Sequence, residues 1–254
     1  MFSIFQKKVY ITDLLPGLVD IHNHILPGID DGAATVEDSI ALINRFGEMG
    51  VKEFIATPHI MNDYYPNTPG SITSALSSVR DKLKELGLED VKVKAAAEYM
   101  MDQSFLEIME KGKLLTLVEN YTLVEMSYFQ PPINLNEILF QLQTRMYKPV
   151  LAHPERYAFY HSRDLARFEE LKKRGCLFQL NLLSVTGYYG RNIQGVALKL
   201  LDRKMYDLVG TDTHQMRHLD RLSGSKVPKE LLERLKPIVD KTANTFKPSL
   251  ADNH

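Results

Sequence analysis

Short, almost wholly apolar runs alternate along the chain with longer stretches in which hydrophobic residues recur at helical spacing. The apolar runs predict β-strands that are covered on both faces. Seven of them lie at residues 18–24, 53–59, 91–99, 121–127, 148–153, 177–185 and 206–214. Predicted amphipathic helices between them include residues 36–49, 71–86 and 165–174, which are followed by Gly50, Gly87 and Gly175 in the position where helices commonly end.

This regular alternation of strand and helix is typical of parallel βαβ units. Seven units without a break predict an α/β fold with a closed or nearly closed (β/α)7 barrel, and a doubly wound open sheet is the alternative. The sequence contains no internal repeat, low-complexity tract or long linker. We therefore predict a single barrel domain at residues 18–247, preceded by an N-terminal extension at residues 1–17 and followed by a tail at residues 248–254.

Composition and charge limit the possible partners. The chain has 31 basic and 32 acidic residues and a formal net charge of -1, so no overall attraction to nucleic acid or to an anionic membrane is expected. No apolar run is long enough to span a bilayer, and the first 16 residues lack the order of a secretory signal. Because Cys176 is the single cysteine, it can form no intrachain disulfide. We expect a cytoplasmic protein in which Cys176 is a core residue.

Side chains that can bind metal ions stand at the carboxyl ends of six of the seven predicted strands; the sixth strand has none. They are His22, His24, His59, Glu98, Glu125, His153, Asp212 and His214. Parallel barrels place their active sites at this end. Side chains two positions apart on a strand, such as His22 and His24, point to the same side. One such residue alone is usually an ordinary hydrogen-bonded polar group. Six coincident endings predict a metal centre.

Eight strand-end candidates exceed the needs of one ion, because a tetrahedral ion takes about four donors and an octahedral one about six. Two or three ions bridged by Glu98 and Glu125 fit better. Mixed imidazole and carboxylate donors suit manganese, iron or zinc. The turn Asp30-Asp31-Gly32 adds two carboxylates, of which one is expected only to form the turn.

Closely spaced divalent ions can generate hydroxide at neutral pH and bind the oxygens of a phosphoryl group, so hydrolysis of a phosphate ester is the leading chemistry. Arg156, three residues after His153, could bind the phosphate as a bidentate donor, and a surface salt bridge is the alternative role. No arginine lies six residues after Cys176, which argues against a cysteine nucleophile. The sequence has neither a Walker-type glycine loop nor a G-x-S-x-G elbow.

Four segments resemble motifs of the polymerase and histidinol phosphatase (PHP) superfamily. They are Asp20-Ile21-His22-Asn23-His24, Thr57-Pro58-His59, His153-Pro154-Glu155-Arg156 and Asp212-Thr213-His214. Within it the chain resembles the bacterial tyrosine-protein phosphatases of capsular and exopolysaccharide synthesis. The resemblance implies a distorted, TIM-like seven-stranded barrel of the PHP type, three divalent metal ions, usually Mn²⁺, and hydrolysis of phosphotyrosine on a partner tyrosine kinase by metal-bound hydroxide.

The resemblance also implies roles for individual residues. Nine residues match metal ligands grouped around three ions. The groups are His22, His24, Glu98 and Asp212; Glu98, Glu125 and His153; and Asp31, His59 and His214. Arg156 matches the phosphate-binding arginine of the family. A second phosphate-binding arginine follows the last motif in relatives, where Arg217 and Arg221 compete and Arg217 is assigned here.

Two tyrosine-containing loops bear on substrate size. Residues 63–66 follow the second strand and residues 187–191 follow the sixth, so both are expected on the active face, where tyrosine and arginine could hold a peptide. Ordinary packing of large loops is the equal alternative. A histidinol-phosphate or other small-molecule phosphatase is the second candidate function, and a nucleic-acid exonuclease is the third. A non-catalytic regulatory or scaffold barrel is the candidate from another class of protein.

Overall fold

The computed structural model describes residues 7–161 and 164–251. Its strands are β1 (Lys8–Tyr10), β2 (Val19–Asp20), β3 (Glu53–Ala56), β4 (His59–Ile60), β5 (Lys92–Ala95), β6 (Glu98–Met100), β7 (Tyr121–Glu125), β8 (Lys148–Ala152), β9 (Leu177–Asn181), β10 (Leu208–Gly210) and β11 (Lys226–Pro228). Its α-helices are α1 (Val36–Glu48), α2 (Pro69–Glu85), α3 (Gln103–Lys111), α4 (Leu135–Thr144), α5 (Ala166–Lys173), α6 (Arg191–Asp202), α7 (Met216–Gly224) and α8 (Lys229–Ala251).

The seven predicted strand positions are all present and parallel, but the second and third are each divided in two. A six-stranded sheet has the order β10-β9-β8-β7-β6-β4, and a three-stranded sheet has the order β2-β3-β5. Backbone hydrogen bonds continue the pairing across the divisions, from Ala96 N to Ala56 O at 2.8 Å and from Glu98 N to Pro58 O at 3.0 Å. The short strands β3 and β4 therefore occupy one position in the barrel, and β5 and β6 occupy the next.

The first and last strand positions also meet. Asp212 N donates to His22 O at 2.7 Å, and His24 N donates to Thr213 O at 2.9 Å. The Asp20 carboxylate strengthens this junction, because it accepts from the backbone N and the hydroxyl of Thr211 at 3.0 and 2.7 Å. The strands thus follow one another in chain order around a ring, and the fold is the predicted distorted, TIM-like seven-stranded α/β barrel rather than a doubly wound open sheet.

Local sequence signals define the helices near their predicted bounds. In α1 the hydroxyl of Thr35 accepts from Asp38 N at 3.1 Å while the Asp38 carboxylate accepts from Thr35 N at 3.0 Å, which is a capping box. Gly50 follows α1 at φ 82°, a left-handed conformation that favours glycine. These signals explain why the helix predicted at residues 36–49 was placed to within one residue.

The chain ends pack on the barrel. Strand β1 pairs with β11 in antiparallel fashion, and Ile11 and Leu15 behind it are fully buried, so residues 7–17 of the predicted N-terminal extension belong to the packed structure. The prediction of a tail from Pro248 was wrong for its first residues, because α8 continues to Ala251. Leu250 and Phe246 of this helix are buried in one cluster with apolar side chains of the barrel strands. Residues 1–6 and 252–254 lie outside the described part.

Among the described residues, no helix is long and apolar enough to cross a membrane.

Candidate metal centre

All nine predicted metal ligands lie together at the carboxyl ends of the barrel strands. They form four overlapping groups whose ligand atoms lie within 4.8 Å of one another. The groups are His24, Asp31, His59 and His214; His22, His24 and Asp212; His22, Glu98 and His153; and His59, Glu98 and Glu125. Because four residues belong to two groups each, the arrangement suits several ions that share ligands rather than one isolated ion.

The Glu98 carboxylate lies at the middle of this cluster and is fully buried. Its oxygens approach ring nitrogens of four histidines. The distances are 3.2 Å to His22, 3.5 Å to His24, 3.2 Å to His59 and 3.3 Å to His153. This position supports the predicted bridging role for Glu98. Glu125 lies 2.8 Å from Nδ1 of His59, a pairing that differs from the predicted grouping of Glu125 with His153.

The donor set fits divalent metal ions. Buried polar atoms normally have hydrogen-bond partners, yet several ligand atoms here have none within the described residues. They are Nε2 of His22 and of His24, Nδ1 of His59, both carboxylate oxygens of Glu98, Oε1 of Glu125 and Oδ1 of Asp212. These atoms belong to the overlapping groups described above, where cations would satisfy them.

Two ligands occupy backbone conformations that are unusual for side chains of their type. His153 has φ 35° and Asp212 has φ 53°, both in the left-handed region. Such conformations cost of order 1–3 kcal/mol and persist where the surrounding structure compensates for them. Here they turn the chain sharply at the ends of β8 and β10, so that both side chains reach the cluster.

Two glycines allow the ligand-bearing strands to pack closely. A Cβ atom at Gly210 would lie 2.6 Å from His22 Cβ, and one at Gly32 would lie 2.0 Å from the carbonyl oxygen of His24. Neither position can accept a side chain without displacing the backbone or a ligand. The sequence around both histidines is therefore fixed by close packing as well as by metal chemistry.

The charges in the cluster depend strongly on one another. Burial alone would lower the pKa of His22 and His59, but neighbouring carboxylates outweigh it. Glu98 raises the pKa of His22, and Glu125 raises that of His59 to about 9. Burial would conversely raise the pKa of Glu98 and Asp212, and the histidines hold both well below the ordinary value. Without metal, these shifts favour protonated His22 and His59 beside ionised Glu98 and Asp212.

We expect the metal-free protein to lose stability as the pH rises. A raised histidine pKa stabilises the folded state fully below the unfolded value of 6.5, and this contribution disappears as the pH passes through about 9, the folded value for His59. The depressed pKa of Glu98 acts at the acidic end, where its contribution to stability is progressively lost as the pH falls below the unfolded value of 4.5. Urea unfolding of chelated protein at about pH 6 and about pH 9 measures the difference. An unchanged or higher free energy of unfolding at about pH 9 contradicts these charge states.

Side chains behind the ligands set their orientation. Gln179 Nε2 donates to Leu180 O at 2.6 Å, so its Oε1 faces His22 Nδ1 at 2.8 Å and accepts from it. The neutral His22 ring must then carry its proton on Nδ1, which leaves Nε2 free to bind metal. Asp30 makes the same contact with Nδ1 of His24 at 2.8 Å and also accepts from Gly32 N, so it does more than form the turn.

We predict that Gln179→Leu weakens metal binding by about 10- to 100-fold, because His22 loses the acceptor that fixes its tautomer. Metal-binding calorimetry on chelated protein measures this change. Gln194→Leu is the matched control, since its amide donates to Val185 O at 2.8 Å and contacts none of the metal groups. Equal affinities for the two variants would show that Gln179 does not orient His22.

Arg156 is held rigidly at the edge of the cluster. Its Nη1 donates to Asp212 Oδ2 at 2.6 Å, and its guanidinium carbon lies 4.7 Å from the ring centre of Tyr128 and 4.3 Å from that of Tyr189. Asn181 Nδ2 completes the arrangement by donating to Tyr189 Oη at 3.1 Å and to Asp212 Oδ2 at 3.0 Å. Two rings and one carboxylate therefore fix the plane of the guanidinium, which suits bidentate binding of an oxyanion.

Several of these positioning residues were missed from the sequence. The sixth strand, β9, has no predicted ligand, yet it contributes both Gln179 and Asn181. The available signal was two amide side chains, Gln179 and Asn181, in a strand whose other residues are apolar, because a buried amide is costly unless it is hydrogen-bonded. Tyr128 lies in the loop after β7 and carried no such signal.

A cavity of about 1160 Å³ lies over the cluster. Both predicted loops contribute to it, through Tyr64 and Tyr65 of the first and through Tyr188 and Tyr189 of the second. Tyr65 stacks on His59 with ring centres 5.6 Å apart.

The other residues singled out from the sequence, two arginines and the cysteine, differ in where they lie relative to the cavity. Exposed Arg217 lines the cavity from the first turn of α7, whereas Arg221 is not among its lining residues. Cys176 is a buried core residue whose burial raises the pKa of the thiol to about 12, so it is no nucleophile.

Comparison with known proteins gives concordant results. The protein family described as "Capsular polysaccharide synthesis, CpsB/CapC" matches residues 18–223. A putative tyrosine-protein phosphatase, CapC of Staphylococcus aureus, is 30% identical over 203 residues, covering 78% of each chain. The tyrosine-protein phosphatase YwqE of Bacillus subtilis (strain 168) is 28% identical over 230 residues, which cover 85% of this chain and 89% of that protein.

The fold has a solved counterpart as well. The crystal structures of YwqE from Bacillus subtilis and CpsB from Streptococcus pneumoniae, described as unique metal-dependent tyrosine phosphatases, include a chain that superposes with a TM-score of 0.76. The sequences are 25% identical, and the match covers 92% of this chain and 93% of that one. The fold of this chain therefore matches that of a protein described as a metal-dependent tyrosine phosphatase.

Proposed function

The chain belongs to the CpsB/CapC family of capsular polysaccharide synthesis, and on this basis we propose that it is a metal-dependent phosphatase that hydrolyses phosphotyrosine in a partner protein. One observation carries the proposal beyond family membership. The nine predicted ligands converge in overlapping groups, and several of their ligand atoms have no hydrogen-bond partner within the described residues. Six of the nine line the same cavity as Arg156, whose guanidinium is held for oxyanion binding.

The residues of this chain have distinct roles in the proposed reaction. The nine predicted ligands would hold divalent ions, which would supply Lewis-acid charge for activating water and polarising the phosphoryl group. Arg156 contacts the non-bridging phosphate oxygens, and its ion pair with Asp212 keeps the guanidinium in place before the substrate arrives. Exposed Arg217 on the cavity rim adds positive charge for the approaching phosphate.

Further details of the proposal concern the ions and the partner. Three ions, with Mn²⁺ as the native metal, suit the nine ligands and the shared position of Glu98. The aromatic lining from Tyr65 and Tyr188 supports an aromatic phosphoester as substrate, since these rings can stack on a phosphotyrosine ring. A bacterial tyrosine kinase is the proposed partner. A cytoplasmic location remains a prediction from the sequence.

Two other functions remain as outcomes of the test. A small-molecule phosphatase, for example for histidinol phosphate, would use the same ligands but would not need a cavity of about 1160 Å³ with tyrosines along its rim. A non-catalytic scaffold is disfavoured because all nine matched ligand residues are retained in the sequence.

The test is phosphate release by chelated protein after readdition of Mn²⁺. A phosphotyrosine peptide, the matched phosphoserine peptide and histidinol phosphate are compared at equal concentrations. Release chiefly from the phosphotyrosine peptide is expected. Preference for histidinol phosphate would replace the proposal with the small-molecule function, and no release from any of the three would favour the scaffold.

A further inference from the structure

The loop that follows β7 exposes large apolar side chains beside the candidate active site. Phe129 is 93% exposed and Ile133 is 101% exposed, and Pro131 and Pro132 lie between them in the sequence. All four line the cavity that contains the metal cluster. We call Phe129, Pro131, Pro132 and Ile133 the apolar lip. Fully exposed aromatic and aliphatic side chains grouped at a cavity mouth are typical of binding surfaces.

The backbone of the apolar lip is held in place, so the exposure of its side chains is part of the folded structure. Phe129 N donates to Ser127 Oγ at 3.3 Å, and Leu135 N donates to Pro132 O at 3.2 Å. Asn134 Nδ2 donates to Gln103 Oε1 at 3.3 Å, which connects the end of the loop to the start of α3. Two consecutive prolines further restrict the backbone. A surface already ordered loses little conformational entropy when it binds a partner.

The lip lines the same cavity as Arg156 and six of the nine predicted ligands. A phosphorylated group that enters this cavity therefore brings the molecule that carries it beside the lip. An extended polypeptide with a phosphorylated side chain is the occupant that suits this arrangement. When a phosphotyrosine side chain reaches the base of the cavity, the backbone that carries it must lie at the mouth, next to the lip.

We propose that the apolar lip binds an apolar side chain adjacent to the phosphotyrosine in the substrate protein, and so selects among phosphotyrosine sites. This inference rests on the proposed phosphotyrosine phosphatase function. Burying one large apolar side chain against Phe129 and Ile133 improves kcat/KM by about tenfold or more. The lip does not contact the reacting atoms, and its effect is on substrate choice.

The test uses two phosphotyrosine peptides that differ only at the neighbouring residues, leucine in one and serine in the other, together with free phosphotyrosine. The wild-type protein is expected to favour the leucine peptide by about tenfold in kcat/KM. A Phe129→Ser, Ile133→Ser double variant should lose this preference, and its loss on the leucine peptide should exceed its loss on free phosphotyrosine by about tenfold. Phe140→Ser with Met146→Ser is the matched control, because both residues are exposed at 62% and 75% but do not line the cavity.

Three results would overturn the inference in distinguishable ways. Equal kcat/KM for the two peptides in the wild-type protein would show that the lip does not select substrates. Conversion of a dimer to a monomer by the double variant, seen by light scattering, would make the lip an interface between copies of the chain. Failure of the wild-type protein to hydrolyse even free phosphotyrosine would instead contradict the proposed function on which the inference rests.

Discussion

The Glu98→Gln variant is expected to lose more than about 10³-fold in phosphotyrosine turnover. Glutamine keeps the shape of the side chain but removes the negative charge that faces four histidine nitrogens at 3.2–3.5 Å. Without a charged oxygen at that position, the cluster would lose the only carboxylate that belongs to two of its ligand groups. Steady-state kinetics at saturating Mn²⁺ and metal analysis of the purified variant measure the two parts of this effect.

Glu155→Gln is the matched control for this experiment. Glu155 is also fully buried, but it accepts hydrogen bonds from Asn181 N and from Tyr206 Oη, both at 3.0 Å, and belongs to none of the metal groups. The Glu155→Gln variant should therefore keep its full metal content. Circular dichroism of both variants separates loss of metal from loss of fold. A Glu98→Gln protein that binds metal and turns over normally would remove Glu98 from the centre.

The second large effect is expected for Arg156→Lys, which should lower kcat by about 10²- to 10³-fold with unchanged metal content. Lysine keeps the charge but offers no planar fork for two phosphate oxygens. It also cannot fill the space between Tyr128 and Tyr189, whose ring centres lie 4.7 and 4.3 Å from the guanidinium carbon. Single-turnover kinetics with a phosphotyrosine peptide measure the loss in the chemical step.

The arginines of α7 provide graded comparisons. Arg217→Lys should lose less activity than Arg156→Lys, because Arg217 is exposed on the rim and its charge is screened by solvent. Arg221→Lys should leave turnover unchanged, since Arg221 does not line the cavity. A larger loss for Arg221→Lys than for Arg217→Lys would reverse the assignment of the second phosphate-binding arginine.

The sequence predicted which side chains lie together at the strand ends because their positions follow from a simple physical rule. Parallel strands bring their carboxyl ends together, so polar residues that end successive apolar runs must meet, as His22, Glu98 and Asp212 do. Which residues belong to two ligand groups at once was harder to predict, since it depends on distances of a few ångströms. His59 illustrates this point: it lies 2.8 Å from Glu125 although it was grouped only with Asp31 and His214.

Other features depended on tertiary contacts that periodicity does not encode. The sequence predicts a tail from Pro248, yet burial of Phe246 and Leu250 stabilises the last turns of α8. The ring pair around Arg156 joins Tyr128 and Tyr189 from loops about sixty residues apart in the sequence, so only the folded chain brings them together.

The most direct test of the central claim is a titration of chelated protein with Mn²⁺, in which bound metal and phosphate release from a phosphotyrosine peptide are measured on the same samples. We expect no release from the metal-free protein and a rate that rises with occupancy until about three ions are bound per chain. Full turnover by protein without bound metal, or a metal-saturated protein that releases no phosphate, would contradict the account.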